Sequence, residues 1–525
     1  MTAVPATYTV ESSSAAREVL RALQSRLDAR PEPGSSHHAV YYDTFDWRLH
    51  RDGGVLSATP HEGGWMLVWK DAAGAVRHQR ATGSLPEFAS DLPPGDFRQA
   101  LTDVVESRRL FAVVDVRLRR RALRITHNAN GAAVRIELEQ GTAAKPDGAG
   151  PRRPMRPRLR LIPVRGHDRE HAGALRVVEQ ELGLHRDESG ELSPALLAIG
   201  NLPGGYSSKL DLVLDPAMRA DAAVKKILGA LLQAMRANEQ GTREDLDSEF
   251  LHDFRVAVRR TRTCLGQVPG VIPDRILTRF RKEFSWLGHI TGPTRDLDVY
   301  LLKMDDYRAE VPQGVGEELE PLGRFLAEHK LEEQRRLAKA LGSGRYRALV
   351  DSWQKFLGQA LPARSSLPNA RRPILDVASE RIERRHGRVI KRGRAIDGSS
   401  PSSALHKLRI DCKKLRYLLE FFRSLYGPDE PRQMLRLLKR LQDNLGDFND
   451  LAVQQETLER FGRRMLEEKR ATVGSLSAMG RLVERLHIRQ VKERERFRKC
   501  FARFASGAGP DRIRRMLASA AGPRE

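Results

Sequence analysis

The pattern of hydrophobic and polar positions changes near residue 210. Before that point, apolar and polar residues alternate over short stretches, as in the RIELE segment at 135–139. This period of two predicts β-strands with one half-solvated face. Strands are predicted at 40–43, 65–69, 113–117 and 133–139. Helical patterns at 14–30 and 171–182, together with a Gly- and Pro-rich loop at 141–158, complete a mixed α+β domain over 1–212.

From about residue 216 the apolar positions recur every three or four residues, which predicts amphipathic helices. The predicted helices are 222–237, 249–266, 275–287, 317–341, 374–394, 404–426, 433–445 and 453–504. Breaks at 268–273, 361–373 and 393–403 separate them. The second part is therefore predicted to be all-helical over 216–508, with a C-terminal tail at 509–525.

Two predicted helices carry the same basic motif. HDFRVAVRRTR starting at His252 recurs as HKLRIDCKKLR starting at His406, with cations 3, 7, 8 and 10 positions after each histidine. Further along, the basic pair Arg281-Lys282 precedes a Leu-Gly pair. In the second copy, the basic pair Lys439-Arg440 also precedes a Leu-Gly pair. Each Leu-Gly pair precedes a predicted acidic turn, at 295–298 and 447–450. A duplicated helical unit explains this order.

Helical geometry places the repeated cations in rows. Offsets of 0, 3, 7 and 10 fall within about 80° of arc on an α-helix. We name the two rows the first stripe and the second stripe. The first stripe is His252, Arg255, Arg259 and Arg262, and the second stripe is His406, Arg409, Lys413 and Arg416. The apolar seam lies one position earlier in each copy, so the stripes are expected to line a groove between helices.

The simpler alternative is that each stripe is an ordinary solvated helix face. Solvated faces usually mix charges at a spacing of four residues. Here the two motifs contain only Asp253 and Asp411 as acids, and the spacing of the cations is repeated. Rows of unpaired like charge destabilise a helix unless a ligand neutralises them, so the pattern favours an anionic ligand.

The charge distribution supports this interpretation. The chain carries a formal net charge of +23. Residues 1–208 hold 28 Lys and Arg against 25 Asp and Glu, whereas residues 209–525 hold 63 against 43. The excess positive charge therefore lies in the helical part, where it would attract a polyanion: nucleic acid, an anionic membrane or polyphosphate.

Other features of the sequence exclude several classes of protein. The three cysteines, Cys264, Cys412 and Cys500, are too far apart for a metal knuckle or a disulfide framework. The first residues lack the charged and apolar regions of a signal peptide, and no apolar run reaches 18 residues. The expected location is the cytoplasm, without a membrane partner.

The helical part resembles the CHAD family, the conserved-histidine α-helical domain. The two basic motifs carry the resemblance, with Leu287-Gly288 and Leu445-Gly446 after them. It implies two pseudo-symmetric four-helix bundles, at 216–360 and 374–508, and a non-catalytic basic cavity that binds inorganic polyphosphate, with polyphosphate granules as a further partner. The implied binding residues are His252, Arg255, Arg259, Arg260, Arg262, Arg281, Lys282, Arg295, His406, Arg409, Lys413, Lys414, Arg416, Tyr417, Lys439 and Arg440.

The first 212 residues resemble a CYTH domain, the triphosphate tunnel fold built on an antiparallel sheet. YYDTFDWRL at 41–49 matches its second-strand region, and Ser208-Lys209 matches a late strand. The family's opening Glu-x-Glu-x-Lys strand is missing, because residues 8–13 read YTVESS. The family's phosphate-gripping arginines are replaced by Ser57, Ala58 and Thr59. The domain is therefore expected to be degenerate.

Two alternatives to a polyphosphate-binding module remain open. The N-terminal domain could hydrolyse a triphosphate or nucleotide, with Glu137 and Glu139 as ligands of Mg²⁺ or Mn²⁺. Without that activity no cofactor is required. Nucleic-acid binding would also suit the charge, but the stripes lack interleaved aromatic residues apart from Tyr417.

Overall fold

We describe a computed structural model of the chain, covering residues 5–126, 132–146, 148, 150–164, 167–506 and 508–520. The chain divides into two compact units, Met1–Ser207 and Ser208–Glu525. Neither unit contains, within these ranges, a helix long and apolar enough to cross a membrane. The fold is an antiparallel-sheet unit followed by an all-helical unit, as the sequence predicts.

The first unit is built on one antiparallel sheet of ten strands. The strands are β1 (Ala6–Thr9), β2 (Arg30–Thr44), β3 (Gly54–His61), β4 (Gly64–Asp71), β5 (Val76–Thr82), β6 (Leu110–Thr126), β7 (Ala132–Ala144), β8 (Arg153–Pro154), β9 (Arg158–Pro163) and β10 (His185–Arg186). Their order is β10-β1-β9-β7-β6-β2-β3-β4-β5, and β8 pairs with β7. The tunnel-like closure implied by the CYTH resemblance stays a prediction.

The predicted strands lie inside β2, β4, β6 and β7. The predicted loop at 141–158 is wrong at both ends, because β7 continues to Ala144 and β9 begins at Arg158. Gly141 explains the error: a Cβ there would lie 2.2 Å from the backbone oxygen of Arg117 on β6. This glycine permits a close strand contact, although it resembles a loop residue in the sequence.

Five helices of the first unit connect these strands within the described residues. They are α1 (Ser13–Leu27), α2 (Arg48–Arg51), α3 (Asp96–Val105), α4 (Asp168–Arg176) and α5 (Ser193–Ile199). The predicted helix at 171–182 corresponds to α4 and a π-helical turn, Val177–Glu181. Ser208 and Lys209 lie outside the strands, so their predicted assignment to a late strand is wrong.

The second unit is all-helical. Its helices are α6 (Ala220–Glu244), α7 (Ser248–Gln267), α8 (Asp274–Ile290), α9 (Gly292–Leu302), α10 (Met304–Glu310), α11 (Glu320–Leu341), α12 (Gly344–Gly358), α13 (Ile374–Arg394), α14 (Ser402–Phe421), α15 (Asp429–Glu467), α16 (Val473–Ala505) and α17 (Ala508–Ala520). α17 lies within the segment predicted as a tail, and residues 521–525 of that segment lie outside the described residues.

Two predicted boundaries in the second unit are wrong. The acidic segments at 295–298 and 447–450 are helical, in α9 and α15, instead of forming turns. α15 runs through Gly446 because Leu445 and Phe448 beside it are buried, which outweighs the weak helix propensity of glycine. The predicted helix at 453–504 is instead broken between α15 and α16, where Lys469 adopts a φ of 58°.

Helices of both repeats share one hydrophobic core. Leu251, Phe254 and Val258 of α7 belong to the same buried cluster as Leu408 and Cys412 of α14. The starts of α6 and α13 are also joined by an antiparallel bridge between Arg219 and Pro373. This shared core fixes α7 and α14, the helices that carry the two stripes, within a single unit.

Candidate functional site

The two basic stripes meet where α7 and α14 pack together. The Nε of Arg259 on α7 donates a hydrogen bond of 2.6 Å to the hydroxyl of Tyr417 on α14. Lys413, one turn before Tyr417, interacts electrostatically with the same arginine. Arg259 therefore links cations contributed by both repeats. We name these residues the central basic cluster: Arg255, Arg259, Arg262, Arg295, Arg409, Lys413 and Arg416.

Lys413 is the most strongly perturbed cation of this cluster. Its pKa is lowered to about 8, first by burial and then by the charges of Arg409, Arg259 and Arg416. Asp450 acts in the opposite direction. Lys413 has no hydrogen bond or ion pair in the described part of the chain. An ammonium group among guanidinium groups needs an anion to hold its proton at higher pH.

Arg255 of the first stripe, the counterpart of Arg409, is also a perturbed cation of the cluster. Its guanidinium donates hydrogen bonds of 3.2 Å to the carbonyl of Gly288 and 2.9 Å to the hydroxyl of Thr291. Burial lowers its pKa, and Arg259, Arg295 and Arg262 lower it further, whereas Asp296 opposes them. The arginine is fixed by neutral acceptors, so its charge remains available to a ligand.

Acidic side chains pair with only part of the central basic cluster. Asp450 of α15 accepts a hydrogen bond of 2.9 Å from Arg409. Glu420 accepts one of 2.7 Å from Arg416, and a carboxylate oxygen of Glu249 lies 3.8 Å from Arg295. Four cations have no ion pair among the described residues. They are Arg255, Arg259, Arg262 and Lys413. The cluster thus retains unneutralised positive charge between the two repeats.

The two repeated histidines make different contacts. Arg295 of α9 donates a hydrogen bond of 3.1 Å to Nδ1 of His252, so this imidazole nitrogen acts as an acceptor. Nδ1 of His406 instead donates to the amide oxygen of Asn449 at 2.5 Å. His406 is exposed. Each histidine is thus tied to a later helix of its own repeat, His252 to α9 and His406 to α15.

Two predicted binding residues that flank the stripes, Arg260 and Lys414, make contacts outside the central basic cluster as defined. Arg260 forms an ion pair of 3.0 Å with Glu420 and donates to the carbonyl of Ser208 at 2.7 Å. Lys414 interacts instead with arginines of α13 and with Asp411. Both residues stand one position after a stripe cation, about 100° further around the helix. Their part in ligand binding stays a prediction.

The predicted basic pairs on α8 and α15 are exposed. Arg281 donates a hydrogen bond of 2.8 Å to the carbonyl of Leu265, which lies three residues beyond Arg262 on α7. Lys439 pairs with Asp443 of its own helix at 3.2 Å. Lys282 and Arg440 are exposed. Among the described residues, the hydrogen bonds of Arg281 and Lys439 go to partners outside the central basic cluster.

The sequence repeat missed Arg460 of α15. This arginine interacts electrostatically with Asp296 of α9, which also faces Arg255 and Arg295. Burial raises the pKa of Asp296 despite these three arginines. Arg460 lies on α15 about 21 residues beyond Lys439, outside the repeated motif, so no local pattern pointed to it.

The candidate metal ligands of the first unit are engaged by arginines. The carboxylate of Glu139 lies 2.8 Å from Arg120 and 3.5 Å from Arg160, and that of Glu137 lies 3.3 Å from Arg135. In the described ranges no group of three or more His, Cys, Asp or Glu residues could hold a metal ion. Two carboxylates already paired with guanidinium groups do not fit a divalent-cation site.

Comparison with known proteins identifies the family of the helical region. Residues 226–459 match the model of the CHAD domain family. The chain therefore contains a CHAD domain. This domain includes both basic stripes and the whole of α7, α9 and α14.

The chain is also similar to several individual proteins. An uncharacterized protein of Mycobacterium tuberculosis, matched in strains CDC 1551 and H37Rv, is 27% identical over 283 residues, or 51% of this chain. The match spans about half of that relative's length, 52%. The CHAD domain of the plant Ricinus communis shares 25% identity at a TM-score of 0.46 and covers 60% of this chain and 98% of its own. PptA from Streptomyces chartreusis shares 16% identity at a TM-score of 0.42, covering 54% and 99%.

Proposed function

We propose that the CHAD domain of this protein binds inorganic polyphosphate at the central basic cluster, as a binding module without catalytic activity. The observation that carries the proposal is the convergence of two like-charged stripes on Arg259 and Lys413, with the pKa of Lys413 lowered to about 8. Such an arrangement is unfavourable in the free protein, and a polyanion would remove the repulsion.

The chemistry of polyphosphate suits the two stripes. Each stripe presents one cation per helical turn, about 5.4 Å apart, to a chain that carries anionic oxygens at every unit. Arginines can bind two oxygens at once, whereas Lys413 acts as a point charge. Hydrogen bonds between ionised groups are about twice as strong as neutral ones. Release of counterions would make the affinity fall as salt rises, by analogy with nucleic acids.

The test is isothermal titration of the full chain with long-chain polyphosphate at about 50 mM salt, where phosphate contacts are strong. We expect binding by the wild-type protein and none by the double variant Arg255→Glu with Arg409→Glu. Because Arg255 is partly buried, far-UV circular dichroism must show that this variant keeps its helices. No heat and no complex with the wild-type protein would refute the proposal.

A gentler variant and a matched control keep the result interpretable. Arg259→Gln with Lys413→Gln removes two charges that have no ion pair in the described structure, and should weaken binding by at least about tenfold. Arg481→Gln with Arg485→Gln removes two exposed charges from α16 and should bind as the wild type does. Competition with duplex DNA separates polyphosphate from nucleic acid as the preferred ligand.

The proposed binding function involves only the helical unit, and it assigns no reaction to the first unit. Hydrolysis of tripolyphosphate with Mg²⁺ or Mn²⁺ would have to use Glu137 and Glu139, which arginines already engage. Turnover by the wild-type protein that is lost in Glu139→Gln would favour the enzyme alternative. A cytoplasmic protein that binds polyphosphate would also be recruited to polyphosphate granules, which fluorescence microscopy of a tagged chain can test.

A further inference from the structure

A second row of cations lies on α13, the helix that packs against α14 on the side of Lys414. We name it the α13 basic patch and define it as Arg381, Arg384, Arg388, Arg392 and Lys414. The four arginines fall within about 80° of arc and extend over roughly 17 Å of helix. Their first three positions repeat the offsets of 0, 3 and 7 found in both stripes.

A buried carboxylate that contacts this patch is already engaged. Asp411 of α14 is buried and accepts hydrogen bonds from Arg385, at 2.6 Å, and from Arg392. Arg385 also donates to the side chain of Gln267 at the end of α7, at 2.5 Å. These contacts fix α13 against α7 and α14. They satisfy the buried arginine and leave the outer cations of the patch exposed.

Four cations of the patch have no ion pair among the described residues. They are Arg381, Arg384, Arg388 and Lys414. Burial lowers the pKa of Lys414, and Arg385, Arg388 and Arg392 lower it further, although Asp411 acts in the opposite direction. Arg384 and Arg388 are exposed, so a ligand can reach them directly. The patch therefore shows the same unrelieved repulsion as the central basic cluster.

From this placement we propose that the α13 basic patch is a second binding surface for the same phosphate chain. The inference rests on the proposed function. Lys413 and Lys414 are consecutive on α14, so the central basic cluster and the patch occupy neighbouring faces of one helix, about 100° apart. A long polyphosphate chain held at the cluster extends onto the patch, whereas a short oligomer occupies the cluster alone. The patch thereby makes affinity depend on chain length.

The experiment compares chain lengths in a variant of the patch. Arg384→Gln with Arg388→Gln removes two exposed charges spaced four residues apart. The control Arg481→Gln with Arg485→Gln removes two exposed charges at the same spacing from α16, whose neighbouring Leu482 and Leu486 belong to a different core cluster. Binding of the full chain to long-chain polyphosphate and to tripolyphosphate is measured over a range of salt concentrations.

We expect the patch variant to bind long-chain polyphosphate at least about tenfold more weakly than the control, which is about 1.4 kcal/mol. The slope of log affinity against log salt should become shallower by about 1.4, since each phosphate contact contributes about 0.7 for a single-stranded polyanion. Affinity for tripolyphosphate should match the control.

Several outcomes would overturn the inference. If the patch variant and the control bind long chains equally, with equal salt slopes, the patch is no binding surface and the proposed function still stands. If the patch variant loses as much affinity for tripolyphosphate as for long chains, the patch affects the central basic cluster and does not bind an extension of the phosphate chain. A loss confined to duplex DNA would assign the patch to nucleic acid. A wild-type protein that binds no polyphosphate would refute both proposals.

Discussion

The lowered pKa of Lys413 predicts that polyphosphate binding is coupled to proton uptake. In the free protein this ammonium group titrates near pH 8, because burial and the charges of Arg409, Arg259 and Arg416 disfavour it. A bound polyanion would favour the protonated form and raise the pKa towards its ordinary value. At pH 8 about half of the Lys413 side chains are neutral before binding, so each occupied site should take up about half a proton.

The same coupling sets the pH dependence of affinity. At pH 7 about nine tenths of the free Lys413 side chains are protonated, and at pH 9 about one tenth. If the bound form stays protonated throughout, affinity falls about tenfold between these pH values, or ~1.4 kcal/mol. The stability of the ligand-free folded state changes with pH in the opposite direction to the affinity. A lysine with a lowered pKa destabilises the folded state below pH 8, and this destabilisation disappears as the pH rises towards the unfolded value.

The magnitude of that destabilisation follows from the size of the pKa shift. A change from 10.5 to about 8 corresponds to at most ~3.4 kcal/mol, and solvent screening of a half-buried group reduces it to about 1–2 kcal/mol. Lys413→Gln should therefore stabilise the ligand-free helical unit while weakening its binding. Urea denaturation at pH 7 measures the first effect and titration calorimetry the second.

The assay for proton uptake is calorimetry at pH 8 in two buffers with different ionisation enthalpies. Long chains are used because only their terminal phosphates titrate near neutral pH. The difference in apparent enthalpy should give about half a proton for the wild-type protein and for Lys407→Gln, an exposed lysine of the same helix. Lys413→Gln should lose this proton uptake. Equal uptake in both variants would show that Lys413 is not the coupled group.

Two further substitutions test contacts that organise the unit. Tyr417→Phe removes the 2.6 Å hydrogen bond that fixes Arg259, and should weaken polyphosphate binding by ~0.5–1.5 kcal/mol without changing thermal stability by more than that amount. Gly241→Ala would place a Cβ 2.3 Å from the ring of buried Phe250. It should lower the free energy of unfolding, measured by urea denaturation, by about 1–3 kcal/mol. As its control, Gly229→Ala adds a Cβ in open space on the same helix and should raise the free energy of unfolding by up to ~1 kcal/mol.

The sequence was sufficient to predict the stripes because helical spacing is a local property. The offsets in the two motifs place Arg259 and Lys413 on comparable helix faces, and the packing of α7 on α14 brings those faces together. Helical spacing places Lys413 in the second stripe and Lys414 outside it, but only tertiary contacts reveal that Lys414 faces the arginines of α13.

Other features that the sequence did not reveal also depend on tertiary contacts. The partner of Arg260 is Glu420, which lies 160 residues away in the chain, so its ion pair could not be read from local spacing. The acidic segment at 447–450 looked like a turn after Gly446, but burial of Leu445 and Phe448 carries α15 through it. Arg460 joins the site because α9 and α15 pack close enough for it to interact with Asp296.

The most direct test of the central claim is a crystal structure of the full chain with bound polyphosphate. We expect one phosphate chain in contact with Arg259 and Arg262 of the first stripe and with Lys413 of the second. We also expect the Arg259–Tyr417 contact to remain as the link between the two helices. Phosphate density that touches only one stripe, or that lies away from both, would refute the proposed function.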